Sequence, residues 1–331
     1  MAMKRKPYSV SLRKQNKRHN TQCNFGRIGV LMGGSSSERE ISLKSGKAVY
    51  DSLKELNLDV VALDIKTEDV KENIRLIRAQ KIDCAFLTLH GRFGEDGQIQ
   101  EILDNLKIPY TGSGRLASRL AMDKAASRKI LQVYGVPVPR YKVVDKISYN
   151  TFWKVNDGFV FPVVVKPARQ GSSIGLSIVD KIEELDKAVD FAFAFDQNVL
   201  IEEYINGREV TVGILAGEAL PVIEIIPKKR FFDYEAKYSQ GLTDYMVPAQ
   251  LDKEIAQRIR STALSVHNLL GCFAYSRVDM ILSRENIPFV LEVNTTPGFT
   301  QTSLFPKAAK VRGFDFKQLC LQLIRLAYGK A

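Results

Sequence analysis

The chain has 331 residues, of which 45% are hydrophobic and 26% charged, with a formal net charge of +11. That length supports two or three packed domains with real cores, and no apolar run reaches the ~18 residues of a spanning helix. The four cysteines, Cys23, Cys84, Cys272 and Cys320, are far apart and form no C-x-x-C pair. They read as reduced thiols of a cytosolic protein, which excludes a disulfide frame or a zinc site.

The charge is unevenly spread. Residues 1–26 carry seven Lys and Arg and no acid, which leaves +4 for the rest of the chain. The segment lacks an apolar h-region, so it is not a secretory signal. It reads as a disordered basic extension. The alternative, an arm for nucleic acid or a membrane surface, needs aromatic interleaving or amphipathic spacing that the segment lacks.

From Arg27 onward, strand-like and helix-like runs alternate. "RIGVLM" predicts a strand, followed by "GGSSS". Ser37-x-x-Glu40 fits a capping box opening a helix to about Leu56. "LDVVALDI" and "IDCAFLTLH" predict two more strands, the latter ending at His90, and "GQIQEILDNL" a helix. This βαβ rhythm implies a parallel sheet covered by helices, an α/β domain over 27–122. A second region, 123–211, opens with the helix "KAASRKILQVYG", closed by Gly135. "VPVPRYKVV" is held extended by its prolines. "FPVVVKPA" and "LSIV" are strands joined by "RQGSSIG", followed by the helix "IEELDKAVDFAFAF" and the strand "VLIEEYI". A third region, 212–331, holds strands, a long loop over 228–249, a helix around Lys253 to Leu270, a hairpin and a terminal helix.

The hairpin carries chemistry. "SRVDMIL" and "IPFVLEVN" flank "SREN", a tight turn. A turn centred between Glu285 and Asn286 sets Asp279 opposite Glu292 and Arg277 opposite Asn294. Two carboxylates facing each other across a ladder repel, and a divalent cation reverses that sign. Mg²⁺ takes hard oxygen ligands, usually one or two carboxylates plus phosphates, and Asp279, Glu292 and Asn294 make such a set. A solvated face whose acids pair with lysines is the bland alternative. The exposed backbone donors of "TTPGFTQTSL" tip the balance toward metal. "VVVKPARQGSSIG" sets Lys166 at the end of an apolar strand, where lysine rarely sits without an anionic partner. The loop that follows offers backbone N–H groups to phosphate oxygens. It leads into a strand and lacks G-x-x-x-x-G-K-[ST], so it is no P-loop.

Lys124, Lys166, the "GSSIG" loop, "LIEEYINGRE", "RVD" and "EVNTTPG", in this order, resemble the ATP-grasp fold. Within that fold, "HGRFGEDG", "YTGSG", "MDK", "FDYEAKY" and "EVNTTPGFTQTSLFPKAA" are similar to the D-alanine–D-alanine ligase family, over roughly Arg27 to Leu326. The resemblance implies three domains, α/β with α+β parts, and ATP held between the central and C-terminal ones. It implies ATP-dependent joining of two D-alanines through a D-alanyl phosphate, for peptidoglycan.

The resemblance also implies roles. Asp279, Glu292 and Asn294 would hold two Mg²⁺, for which Mn²⁺ can substitute. Lys124, Lys166 and Lys237 would contact ATP phosphates, with Ser173 in the loop above them. Glu202 would sit near the adenine amine, Glu209 on the ribose, and Glu203, Tyr204 and Ile205 along the adenine slot. Glu38 would meet the ammonium of the first D-alanine; helix-start electrostatics alone would also account for an acid there. His90 would lie beside a substrate carboxylate, although a lone strand-end histidine is more often structural. Arg277 and the backbone of Gly298 would stabilise the oxyanion. Ser303 and Leu304 would receive the second D-alanine's carboxylate. The loop over 228–249 would be a lid, with Tyr238 bonded to Ser172 and through it to Glu38. A lid tyrosine in "AKY" implies that D-lactate is a poor second substrate. The resemblance further implies a cytoplasmic homodimer, with D-alanine and ATP as small-molecule partners and no nucleic acid. Two rivals are another ATP-grasp carboxylate–amine ligase and a nucleotide-binding regulator whose tail engages nucleic acid.

Overall fold

The computed structural model describes residues 25–149, 158–228 and 243–329. Most of the basic extension and most of the expected lid, with Lys237 and Tyr238, lie outside them.

The first sheet is parallel, in the order β2-β1-β3. Its central strand β1 (Ile28–Gly33) is buried at every position, as a strand covered on both faces must be. Beside it lie β2 (Val60–Ile65) and β3 (Cys84–Leu87). Helices α1 (Arg39–Lys54), α2 (Val70–Gln80) and α3 (Gln98–Leu106) cover it, and α4 (Arg115–Met122) follows. The expected capping box at Ser37 does not form. Glu38 is the N-cap of α1, with no side-chain capping bond, because its carboxylate is used across the domain junction. The third strand ends at Leu87, three residues short of His90; Thr88 still donates to the Leu31 carbonyl of β1, whereas the His90 ring meets the Thr296 carbonyl of the third domain.

The second sheet is antiparallel, β4-β7-β5-β6, from β4 (Tyr141–Asp145), β5 (Val163–Pro167), β6 (Ser177–Val179) and β7 (Asn198–Glu203). Helix α6 (Leu185–Phe193) closes its core. Helix α5 (Lys124–Val133), although it opens this stretch of chain, sends Leu131 into the core of the third sheet.

The third sheet runs β11-β10-β8-β12-β13, with β9 (Glu218–Ala219) beside β8. Strand β8 spans Gly207–Leu215, so the boundary expected after residue 211 falls inside one strand; pairing of Gly207 with Ser283 puts the whole strand in this sheet. The others are β10 (Ile223–Pro227), β11 (Thr243–Met246), β12 (Tyr275–Ser283) and β13 (Pro288–Asn294). Helix α7 (Lys253–Leu269) packs on one core, and α8 (Leu304–Val311) and α9 (Phe316–Tyr328) on another. That second core joins Phe86 of the first sheet to Tyr275, Phe299 and Phe305. The first and third domains therefore share one apolar interior, which fixes the gap where the site lies. Among the described residues no helix is long and apolar enough to cross a membrane.

Candidate active site

The hairpin has the expected face. Asp279 opposes Glu292 and Arg277 opposes Asn294. The register slips between Asp279 and Met280, which pairs with Val290, so Leu291 is bulged and the turn is centred one half-position earlier than expected. A bulge re-aims side chains beside functional sites, and here it also frees the Leu291 carbonyl to accept from Arg128 Nη2 at 3.3 Å.

Two cavities meet behind this hairpin. One, of about 370 Å³, is lined by Lys166, Ser173, Glu202, Glu203, Tyr204, Ile205, Glu209 and Asp279 between the second and third sheets. The other, of about 460 Å³, is lined by Glu38, His90, Ser172, Arg277, Asn294, Gly298, Ser303 and Leu304 between all three domains. Lys124 and Glu292 line both. Every sequence-predicted site residue within the described stretches thus faces one continuous space.

Four cation–carboxylate pairs order it. Lys124 Nζ lies 3.1 Å from Glu292 Oε2 and donates to the Gln170 carbonyl at 2.6 Å. Arg277 clasps Asp279 with two bonds, of 2.8 and 2.7 Å. Asp279 also accepts from Thr211 Oγ1 at 2.5 Å and Asn294 Nδ2 at 2.9 Å. Lys166 Nζ lies 2.6 Å from Glu202 Oε1, and Arg128 Nη1 pairs with Glu202 Oε2. Burial, only partly offset by Glu202, pulls the Lys166 ammonium down to about 8. Burial opposes the Glu202 charge, but Arg128 and Lys166 outweigh it and hold the carboxyl below its usual range.

The link across the domains is Glu38. It accepts a short hydrogen bond from Ser172 Oγ. Ser172 and Ser173 both adopt left-handed backbone, φ 51° and 59°, a conformation that costs a non-glycine residue free energy and marks functional loops. Two glycines make room. A Cβ on Gly91 would stand 2.8 Å from Glu38 Oε2, and one on Gly171 3.2 Å from it. His90 is buried between the Thr296 carbonyl, 3.0 Å from Nδ1, and Ser45 Oγ, 3.3 Å from Nε2. Burial lowers its pKa despite the nearby Glu38 charge, so the neutral ring is favoured. Ser303 is the N-cap residue of α8 and makes no side-chain capping bond to it; its Oγ instead accepts from Thr300 N at 3.0 Å. The first amides of α8, beginning at Leu304, point outward from a helix N-terminus, a ready anion site.

Two residues were missed by the sequence reading. Glu95 lines the polar cavity, accepting from Gly91 N at 2.7 Å and Thr296 N at 3.2 Å. Burial, with the Glu38 charge, pushes its carboxyl up to about 8. The signal was its place in "HGRFGEDG", a glycine-flanked acid just beyond a parallel strand. Arg128 was the other; it stands one helical turn beyond Lys124, so two cations share the buried face of α5, an arrangement that calls for an anionic neighbourhood.

Asp279, Glu292 and Asn294 fit a hard divalent cation by their chemistry: two carboxylates and an amide on one ladder face, open to both cavities. Among the described residues no three His, Cys, Asp or Glu side chains cluster as a closed cage. That suits an ion whose remaining ligands come from phosphates and water.

The fold and site define an ATP-grasp enzyme, with a nucleotide-sized cavity between two antiparallel sheets opening onto a second, polar cavity. Comparison narrows the class. Residues 130–325 match the family description "D-ala D-ala ligase C-terminus", and residues 27–73 and 66–113 match "D-ala D-ala ligase N-terminus". The chain belongs to the D-alanine–D-alanine ligase family. It is 45% identical over 310 residues to a D-alanine–D-alanine ligase of Pelotomaculum thermopropionicum, covering 91% of this chain and 96% of that one. It is 46% identical to that of Methylacidiphilum infernorum, covering 91% and 95%. The Bacillus anthracis D-alanine–D-alanine ligase complexed with ATP superposes with TM-score 0.81 at 35% identity, over 92% of this chain and 98% of that one. The VanG D-Ala:D-Ser ligase of Enterococcus faecalis superposes with TM-score 0.79 at 32% identity, over 91% and 99%.

Proposed function

We propose that this chain joins two D-alanines to D-alanyl-D-alanine with cleavage of ATP to ADP and phosphate, for peptidoglycan precursors. The observation that carries the reading is the meeting of a nucleotide-sized cavity and a second, polar cavity at Lys124 and Glu292. A γ-phosphoryl group at that junction lies next to a carboxylate in the second pocket. Phosphoryl transfer makes an acyl phosphate. The amine of the second D-alanine attacks its carbonyl, and phosphate leaves from the tetrahedral intermediate.

Each step asks for charge that the site supplies. Glu38, bonded to Ser172, receives the ammonium of the first D-alanine. Arg277, with the Gly298 amide, faces the oxyanion, where fixed donors are worth most. His90, neutral and held by Thr296 and Ser45, polarises the substrate carboxylate. Ser303 and the Leu304 amide receive the second carboxylate. Lys124 and Lys166 neutralise phosphate oxygens; Glu202, Glu203, Tyr204 and Ile205 frame the adenine, and Glu209 the ribose. Asp279, Glu292 and Asn294 would hold two Mg²⁺ ions, or Mn²⁺, which when bound neutralise phosphate charge. Lys237 and Tyr238 lie outside the described residues; the expected lid over 228–249, of which Thr243–Met246 instead forms β11 against β10, would exclude water. The enzyme is cytoplasmic, as its use of ATP requires, and works as a homodimer, which rests on family membership alone.

The test is phosphate release from ATP and Mg²⁺ with and without D-alanine, with the product identified by mass. D-alanine-dependent release giving the dipeptide supports the proposal. Release that is independent of D-alanine, or ligation only with D-serine or another amine as acceptor, refutes it.

A further inference from the structure

Arg128 is 1% exposed and heads the fully buried side chains by size among the described residues. It lines neither cavity. Its Nη1 pairs with Glu202 Oε2, its Nη2 donates to the bulged Leu291 carbonyl at 3.3 Å, and its guanidinium lies 5.4 Å from the centre of the Tyr141 ring. Its Nε is buried with no hydrogen-bond partner among the described residues. So large a buried cation needs a reason beyond packing, because an isolated buried ion is unfavourable and a paired one is often no better than an apolar substitute.

Glu202 supplies the reason. Its two oxygens are divided between two cations of different freedom. Oε2 faces Arg128, which is tied to Leu291 and Tyr141. Oε1 faces Lys166, whose ammonium opens onto the nucleotide cavity. We propose that Arg128 is a positioning residue, the fixed counter-ion of Glu202, which by holding that carboxylate leaves Lys166 free to turn to a phosphate in the cavity. The inference rests on that cavity being the nucleotide site. Without Arg128, any movement of Lys166 toward phosphate would abandon a buried carboxylate, and Lys166 would stay locked on Glu202. With it, Glu202 keeps one partner throughout.

The groups facing Lys166 agree. Arg128 and Lys124, both on α5, oppose its charge, and Glu202 on β7 favours it. The wall of the cavity adds Glu203, Arg208, Glu209, Glu224, Asp279 and Glu292. Loss of Arg128 removes a like charge, so the Lys166 proton is held to higher pH.

The experiment compares full-length wild type, R128M and R128K by calorimetric titration with Mg·ATP, without D-alanine, from pH 6.5 to 9.5, alongside kcat and KM. R128M is expected to weaken ATP binding by about tenfold or more, as loss of a buried charge partner does, while kcat at saturating ATP stays within about threefold. The fall in affinity as Lys166 deprotonates, near pH 8 in wild type, moves to higher pH. R128K restores most of both. Unchanged affinity and pH dependence in R128M, with only a lower Tm, would overturn the proposal. If R128M does not fold, E202Q reports from the other side, because a neutral partner shifts the fall to lower pH; no shift there overturns it equally. These titrations need no ligation. Shifts as expected without any dipeptide product would sink the ligase reading and leave Arg128 its role, and ligation with an unshifted R128M would do the reverse.

Discussion

Glu292→Gln separates a metal ligand from a mere partner for lysine. The substitution keeps shape and removes one charge at the junction of the two cavities. Glu292 and Lys124 are 20% and 7% exposed in their side chains, so the pair behaves as a largely buried one. An unsatisfied buried polar group costs about 1–3 kcal/mol and a fully stranded ion more; Lys124 keeps the Gln170 carbonyl and glutamine keeps an acceptor oxygen, so the smaller figure applies. Removing the carboxylate opposite Asp279 relieves about 0.2–1 kcal/mol of cross-strand repulsion. The net loss of stability is therefore at most about 1 kcal/mol, a fall in Tm of no more than a few degrees. The effect on rate is far larger if Glu292 holds Mg²⁺. Second-shell partners of a metal are already worth about 10–100-fold, so a direct ligand should cost about 100-fold or more in kcat/KM for ATP. The half-saturating Mg²⁺ concentration should rise in parallel. The assay is ADP release across a Mg²⁺ titration, with Mn²⁺ binding followed separately by electron paramagnetic resonance. A variant with altered ATP affinity but wild-type Mg²⁺ and Mn²⁺ dependence would refute the metal role and leave Glu292 as the counter-ion of Lys124.

Other outcomes follow from the same geometry. Glu38→Gln, which keeps the bond to Ser172 but removes the charge, should lower kcat/KM for the first D-alanine by about 100-fold, the scale of one lost charged contact at a reacting centre, while ATP binding is preserved; equal losses for both would point to domain misassembly. Removal of residues 1–24 should leave turnover within about twofold. Removal of Phe25 as well should lower Tm by several degrees, because its ring stacks on Tyr328 and its carbonyl accepts the Tyr328 hydroxyl at 2.5 Å; tail-dependent turnover would favour the regulator reading. Turnover with D-lactate as second substrate near pH 7 should be a small fraction of that with D-alanine, measured by product mass. His267 is 3% exposed and held by burial at about 4, with Nδ1 2.7 Å from Ser276 Oγ. Its folded pKa lies below the ordinary 6.5, so the unfolded chain binds the extra proton and stability falls as pH drops from about 6.5 to 4. That loss approaches about 3 kcal/mol. His267→Asn should flatten the acid side of the Tm profile, and an unchanged slope would refute the assignment.

Much of this site was legible because strand periodicity is rigid. Alternation alone put Glu292 and Asn294 on one face, and a short turn put Asp279 and Arg277 opposite them. The bulge at Leu291 was not legible, since nothing local distinguishes Leu291 from its neighbours, and the partners at the bulge are distant in the chain: Arg128 on the Leu291 carbonyl and the Pro137 carbonyl on the Val290 amide. The capping box failed for a related reason. Ser37-x-x-Glu40 is a local pattern, but Glu38 is drawn to Ser172, 134 residues distant, and a long-range charged contact sets the helix start instead. The boundary after residue 211 fell inside β8 because that strand opens on Gly207, Arg208 and Glu209, which carry no apolar sign of the sheet they join. Glu95 was hidden inside a recognised motif, and Arg128 looked like an ordinary helix cation until its burial was seen.

Three of these ion pairs suggest how the site handles charge that changes during a catalytic cycle. Lys124, Lys166 and Arg277 each rest on an acid of the site itself: Glu292, Glu202 and Asp279. A cluster of bare cations would bind phosphate tightly but would be unfavourable when buried alone, and a cluster of bare acids would repel it. Pairing them inside the protein keeps the interior neutral. Binding of Mg²⁺ with a polyphosphate would then be an exchange of partners, in which Glu292 and Asp279 would hold the metal and Lys124, Lys166 and Arg277 would turn to phosphate oxygens. An exchange gains less than a first neutralisation, so it would keep affinity moderate and let product leave. Under this reasoning Glu202 is the exception, because Arg128 remains with it throughout. The two lysines should then differ in a measurable way. Lys124→Met should strand Glu292 and weaken metal and nucleotide binding together, whereas Lys166→Met should weaken nucleotide binding by about tenfold with the Mn²⁺ affinity unchanged, because the acid it leaves still has its arginine. Equal effects of the two on Mn²⁺ binding would show that the carboxylates act as one pool and that Arg128 gives Glu202 no separate support.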